Sequence, residues 1–264
     1  MNGISKIQGA LAGARILRGK ISMVTGAGAG IGEACVRLFA GQGSKVIAVD
    51  MDGDRLERVC SDVNECDGKT IAVRADVTDS ADLNRAFRKA AKAFGPLDVL
   101  VNNAGGGLST DFFAISEDEW NRVVNLNLTS VFMASQRAAV IFKDRGSGCI
   151  INMSSLAGRS ISVTAGAHYT AGKAGMLGLT RHLARILAPY NVRVNAVCPG
   201  VVNSERLVKR MAEKGTTEEV ARSVPLGRIG DVSEVASVCL FLASDLASYI
   251  TGASLDVNGG AAML

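Results

Sequence analysis

The sequence predicts an α/β protein built on a doubly wound parallel sheet of about seven strands with helices on both faces. Three features carry that expectation. Short β-branched apolar runs alternate with longer stretches of helical period from Ile21 onward. No two runs are joined by a hairpin turn, and a glycine-rich turn leads from the first run into the first helical stretch.

Taken in order, strands are expected at Ile21–Thr25, Lys45–Asp50, Thr70–Ala75, Asp98–Asn102, Gly148–Met153, Val192–Val197 and Ser254–Val257. They are apolar on both pleat faces, as strands covered on both sides must be. Helical periods fall at Gly32–Ala40, Ala81–Phe94, Glu117–Phe142, Tyr169–Ala188 and Val232–Ala243. No linker or composition break divides the chain, so residues 20–264 are expected to form one domain. Residues 1–19 carry Ile4, Ile7 and Leu11 among basic residues without an acid and read as an N-terminal extension. Gly9, Gly13 and Arg15 interrupt the apolar core that a secretory signal needs.

Composition narrows the function classes. The chain is 48% hydrophobic, yet no run approaches the ~18 uninterrupted apolar residues of a membrane span, which predicts a soluble protein. Its net charge of +4 comes from Lys6, Arg15, Arg18 and Lys20, leaving a neutral body unlike that of a nucleic-acid binder. None of Cys35, Cys60, Cys66, Cys149, Cys198 and Cys239 forms a CxxC pair, so reduced thiols in the cytoplasm are expected. With His168 and His182 the only histidines, no metal site is expected.

The first strand runs straight into Thr25-Gly26-Ala27-Gly28-Ala29-Gly30-Ile31-Gly32 and then a helix. Glycines let such a turn be tight and let backbone approach a pyrophosphate, while the helix N-terminus offers free N–H groups. Asp50, closing the second strand, is the acid this fingerprint requires for a ribose. Its carboxylate would accept the ribose hydroxyls of NAD and repel the 2′-phosphate of NADP. Met51 follows it and Ala29 occupies the loop, so no cation is expected there and NAD is favoured over NADP.

Tyr169 and Lys173 lie four apart at the start of a helical stretch, so phenol and ammonium share a helix face. A nearby ammonium favours the phenolate, which suits a general acid–base for an alcohol or ketone. The strand ending in Ser154-Ser155 places a hydroxyl at a carboxyl end, where ligands of open parallel sheets bind. One of the two serines could steady a substrate oxygen, and the other reads as a turn or cap.

In their order, Thr25-Gly-x-x-x-Gly-Ile-Gly32, Asn102-Asn103-Ala104-Gly105, the Ser155 strand end, Tyr169-x-x-x-Lys173 and Pro199-Gly200 resemble the short-chain dehydrogenase/reductase family. The likeness runs from about Lys20 to Gly260 and implies a single-domain Rossmann fold. By that resemblance Tyr169 is the acid–base, Lys173 its partner and a ligand of the nicotinamide ribose, and Ser155 the substrate-orienting hydroxyl. Asn127 matches the family's catalytic asparagine, held to support a proton-relay water, with Asn125 as the competing alignment. The resemblance further gives Gly26, Gly28, Gly30, Ile31 and Gly32 to the pyrophosphate turn, Asp76 and Val77 to adenine, and Asn103, Ala104 and Gly105 to the cofactor's far side. Pro199, Gly200, Val202 and Ser204 would meet the nicotinamide amide. Asn102 and Asn103 also suit a purely structural role, because asparagine stabilises turns.

Three departures from the family pattern stand out. The stretch between Ser155 and Tyr169 is one residue longer than the commoner spacing. Serine at Ser204 stands near where many members have threonine. His168, directly before the tyrosine, is expected to face solvent rather than substrate.

The expected activity is oxidoreduction: hydride transfer between NAD(H) and a secondary alcohol or ketone, in a pocket lined by Leu108, Leu156, Ile161 and Val163. Residues 204–225 would form the substrate lid. An NADPH-dependent 3-oxoacyl-carrier-protein reductase is the alternative, with Lys143, Arg145, Arg181 and Arg185 as its docking charges. A non-catalytic nucleotide-binding scaffold is the alternative from another class. Family resemblance also implies a homo-oligomer, a tetramer or dimer.

Overall fold

The computed structural model describes residues 13, 15–66, 68–162, 165–205 and 217–263. Among the described residues, seven strands form one sheet. They are β1 (Ile21–Thr25), β2 (Lys45–Asp50), β3 (Lys69–Arg74), β4 (Val99–Asn102), β5 (Gly148–Met153), β6 (Val192–Pro199) and β7 (Ser254–Val257). Their order across the sheet is β3-β2-β1-β4-β5-β6-β7, and every neighbouring pair is parallel. The expected strands match these to within one or two residues at their ends. The helices are α1 (Gly30–Gly41), α2 (Gly53–Glu65), α3 (Ser80–Phe94), α4 (Glu117–Val124), α5 (Ser130–Arg145), α6 (Leu156–Arg159), α7 (Ala167–Leu187), α8 (Thr217–Ser223) and α9 (Val232–Ala243).

Alternation along each strand sends successive side chains to opposite faces. Val24, Val46, Ala48, Val99, Val101 and Ile151 meet α1, α2 and α9 on one side. Met23, Ile47, Val49, Leu100, Ile150 and Val194 meet α3, α5 and α7 on the other. Fully burying each such side chain contributes about 1.5–3 kcal/mol, and that opposes the entropy of ordering the chain.

The structure differs from expectation in several elements, the short helices α6 and α8 among them. Helix α2 is not among the expected helices, although Leu56, Val59, Cys60 and Val63 form its buried stripe and the Asp52 carboxylate caps it through the Arg55 N–H. The continuous helix expected at 117–142 is broken by a π-helical turn, Asn125–Thr129, where the Ser130 N–H reaches back to the Asn125 carbonyl. The last residues of the proposed extension pack on the body, with Leu17 fully buried in the core and its N–H donated to the Gln42 carbonyl at 3.0 Å. The rest of the extension, residues 1–12 and Ala14, lies outside the described residues, as do most of the lid range, residues 206–216, and Val163.

A buried polar chain ties the sheet to the helices that carry the candidate site. Asn102 Nδ2 donates to Ser135 Oγ (3.0 Å) on α5 and to Asn152 Oδ1 (2.8 Å) on β5. Asn152 Nδ2 donates in turn to Thr180 Oγ1 (2.9 Å) on α7. Every link is satisfied, so the network fixes register without an unpaired polar group. That bears out the structural reading of Asn102.

Candidate active site

At the carboxyl ends of the strands lies a cleft of about 1160 Å³, open mouth included. It sits where the strand order reverses between β1 and β4, the usual ligand position in such sheets. Thr25 and Asn103 build its floor. Thr25 Oγ1 accepts the N–H groups of Asn103 (3.0 Å) and Ala104 (3.1 Å), and Asn103 Nδ2 donates to the carbonyls of Thr25 and Gly26, both at 3.0 Å. Asn103 therefore laces β4 to β1. The close approach explains Gly26, whose φ is +64 and where a Cβ would lie 2.8 Å from Ala104 Cα. Gly32 packs on the Gly26 carbonyl, which a side chain would displace.

Helix α1 opens at Gly30 with no side-chain cap, so its first N–H groups face the cleft as a ready anion site. Asp50 stands opposite, accepting the Gly28 N–H through Oδ2 at 2.9 Å and the Asp52 N–H through Oδ1 at 3.0 Å. A Cβ on Gly28 would come within 3.1 Å of that carboxylate. Uncapped helix, glycine cradle and rim carboxylate together fit a dinucleotide.

The same cleft is lined by Ser155, Tyr169 and Lys173 with Pro199, Gly200 and Val202, while Ser204 lies against Gly30 at the start of α1. Lys173 is buried, donates Nζ to the Met153 carbonyl at 2.7 Å, and lies 5.7 Å from the Tyr169 ring centroid. Burial disfavours its charged form and brings its pKa down to about 8. The two serines separate cleanly. Ser154 is buried and donates Oγ to the Lys173 carbonyl at 2.9 Å, whereas Ser155 caps α6 by accepting the Ala157 N–H at 3.1 Å and keeps its own proton to donate.

Asn127 is buried in the π-turn, while Asn125 is half-buried. The Asn127 amide clamps Gly106, accepting its N–H at 3.1 Å and donating to its carbonyl at 2.7 Å, with a second bond to the Val123 carbonyl at 2.8 Å. A Cβ on Gly105 would sit 2.8 Å from Asn127 Oδ1 and 3.0 Å from Lys173 Nζ, so this glycine is where asparagine and lysine converge. Gly200 meets Asn258 in the same manner, its Cβ position only 2.8 Å from Asn258 Cβ.

Asp76 and Val77 do not line the cleft. The Asp76 carboxylate accepts the N–H and hydroxyl of Thr78, and Val77 is buried in the core. Arg55 does line it, which corrects the expectation of no cation beside Asp50. It stands on α2, and its Nη1 pairs with Glu205 across the mouth at 2.9 Å. His168 is a second correction. It is fully buried, with Nε2 against Glu119 Oε1 at 2.8 Å. Of the charges suggested for carrier-protein docking, Arg145 is tied to Asp98 at 2.8 Å and Lys143 lies over the Tyr190 ring.

Comparison with known proteins bears on the family and the fold. A family model described as enoyl-(acyl carrier protein) reductase matches residues 26–262. The 3-oxoacyl-acyl-carrier-protein reductase of Thermotoga maritima is 38% identical over 245 residues, covering 92% of this chain and 98% of its own. A 3α-hydroxysteroid dehydrogenase of Mediterraneibacter gnavus is 38% identical over 254 residues, covering 93% and 98%. A crystal structure of a short-chain type dehydrogenase/reductase from Mycobacterium marinum superposes with a TM-score of 0.89 at 31% identity, covering 95% of this chain and 98% of that one.

Proposed function

The chain belongs to the short-chain dehydrogenase/reductase family, and from that premise we propose that it is an NAD(H)-linked oxidoreductase of secondary alcohols and ketones. The observation that carries the proposal is the convergence of Tyr169, Lys173 and Ser155 at one end of a cleft whose other end presents an uncapped helix and Asp50. The nicotinamide, when bound, supplies the carbon that exchanges hydride with the alcohol carbon.

The chain's own residues do the rest. Tyr169 takes the hydroxyl proton as hydride leaves and returns it in the reverse direction. Ser155 donates its free proton to the substrate oxygen. Lys173, held beside the phenol by the Met153 carbonyl, favours phenolate and hands the phenol's proton on to solvent by way of a relay water. The Asn127 amide is committed to Gly106 and Val123, so support for a relay water falls to its main-chain carbonyl in the π-turn. Asp50 selects the dinucleotide with a bare ribose. Residues 204–225, as the substrate lid, would exclude water from the substrate. All six cysteines are free thiols, which supports a reducing compartment such as the cytoplasm. Phe132 and Val140, exposed on α5, support a homo-oligomer.

Arg55 favours a second reading, an NADPH-dependent 3-oxoacyl-carrier-protein reductase, because it puts a cation at the rim where a 2′-phosphate would lie. Binding of NADH and NADPH to wild type, Asp50→Ala and Tyr169→Phe discriminates. The NAD reading expects wild type to prefer NADH and Asp50→Ala to lose that preference. Tyr169→Phe should bind NADH normally yet lose at least about a hundredfold in turnover of secondary alcohols. Equal or tighter NADPH binding by wild type would put the reductase reading first, and normal turnover by Tyr169→Phe would end the mechanism.

A further inference from the structure

His168 occupies the first turn of α7, next to Tyr169, and is fully buried. A buried imidazole needs a partner at each nitrogen, and here both are present. Nδ1 accepts the Tyr169 backbone N–H at 2.8 Å and so carries no proton. Nε2 therefore holds the proton and donates it to Glu119 Oε1 on α4 at 2.8 Å. The hydrogen-bond network thus assigns the neutral Nε2–H tautomer.

The surroundings are shaped for that ring. The N-cap of α7, Gly166, has no side chain to cap the helix, and the imidazole shares the Tyr169 N–H of the first turn with the Gly166 carbonyl, which accepts it at 3.1 Å. A Cβ at Gly166 would lie 2.9 Å from His168 Cε1 and 3.2 Å from the Thr110 carbonyl. The Gly166 N–H is fixed to the Leu108 carbonyl at 2.8 Å. One residue earlier on that loop, Gly107 runs so close to the tyrosine that its Cβ position is 2.8 Å from Tyr169 Cγ. Thr110, His168 and Arg122 surround Glu119, and hydrogen bonds from Thr110 and then His168 hold its carboxyl below the usual range.

We propose that Glu119 and His168 are positioning residues for Tyr169. Their chain of hydrogen bonds, carboxylate to imidazole to backbone N–H, sets the first turn of α7 and so seats the phenol between Gly107 and Lys173. The inference rests on the acid–base role proposed above for Tyr169. It assigns work to a residue that the family motif passes over, since His168 touches neither cofactor nor substrate in this arrangement.

The test reads the phenol directly, without substrate or cofactor. The chain has three tyrosines, so Tyr190→Phe/Tyr249→Phe leaves Tyr169 as the only phenol to titrate by ultraviolet difference absorbance. In that background the Tyr169 midpoint is expected below the ordinary ~10. His168→Asn keeps an amide oxygen where Nδ1 stands and should retain most of the depression. His168→Gln keeps a donor toward Glu119 but not the Tyr169 contact, and its midpoint should move back by about one unit. Glu119→Ala, on the rim of the core, should shift the midpoint the same way, and it tests the idea even if the His168 variants do not fold. Equal midpoints for the two His168 variants, the reverse order, or no shift in Glu119→Ala would overturn the proposal. A wild-type midpoint at the ordinary value would instead overturn the acid–base reading of Tyr169 on which it stands.

Discussion

Lys173 is an ammonium placed where solvent cannot reach it, with only the Met153 carbonyl as its hydrogen-bond partner among the described residues. Its pKa of about 8, against 10.5 for the ordinary group, means that the unfolded chain binds its proton more tightly than the folded one. Stability should therefore rise with pH between about 8 and 10.5, by roughly 3 kcal/mol from this residue. Buried thiols oppose it above their ordinary value of 9.0, because burial pushes Cys149 up to about 11 and the unfolded thiol ionises first. Lys173→Met isolates the lysine. Urea unfolding at a series of pH values should show the variant more stable than wild type at pH 7, with the advantage vanishing by pH 10.5. A constant difference across that range would mean that the folded lysine is not desolvated. Residues of this kind were readable in sequence only where spacing along one element reveals them. The four-residue step from Tyr169 to Lys173 does so. Burial of His168 does not, since it depends on Glu119 arriving from α4, and Arg55 lines the same cleft as Asp50 only because α2 starts where it does.

At the scale of elements, the short helix α6 lies against α7 without a side chain between them. A Cβ on Gly158 would stand 2.6 Å from Ser154 Oγ and 2.7 Å from the Lys173 carbonyl, neither of which can retreat. Gly158→Ala should thus force the two helices apart and cost about 1–3 kcal/mol, or roughly 3–10 °C in Tm, with weaker NADH binding as Lys173 shifts. Gly178, on the same α7 but facing open space, provides the control. Gly178→Ala should raise Tm slightly, because alanine is the better helix former by about 1 kcal/mol. Similar losses in both variants would show that α7 does not depend on close packing at Gly158. Elements with strong periodicity, such as α3 and α9, were legible to within a residue. The break at Asn125–Thr129 was not, since apolar spacing continues through it and only the hydrogen-bond ladder changes step. Helix α2 carried a readable stripe and cap, yet its charged face and leading Gly53 masked them.

For the molecule as a whole, the sequence revealed seven parallel strands but not their order across the sheet, which long-range pairing decides. Chain order and position in the sheet coincide here, as in other doubly wound sheets. Among the described residues, those up to Phe94 build β1 to β3 and those from Val99 build β4 to β7; the halves share one seam in the sheet, and in the helical layers α9 packs on α1 and α5 on α3. Along it Ser22, Met23 and Val24 face Val99, Leu100 and Val101, and Asp98 Oδ2 accepts the Ile21 N–H at 2.8 Å. The cleft lies over that seam, with Gly30 and Asp50 on one bank and Tyr169 and Lys173 on the other. Cutting the chain at the exposed Pro96 should therefore give fragments 1–95 and 96–264 that reassemble when co-expressed, with NADH raising the recovered complex. Fragments whose assembly ignores NADH would show that the dinucleotide does not bridge the banks. On the proposed reading, the bound dinucleotide acts as a rivet between two half-proteins, holding from the cleft what the β1–β4 pairing holds from below.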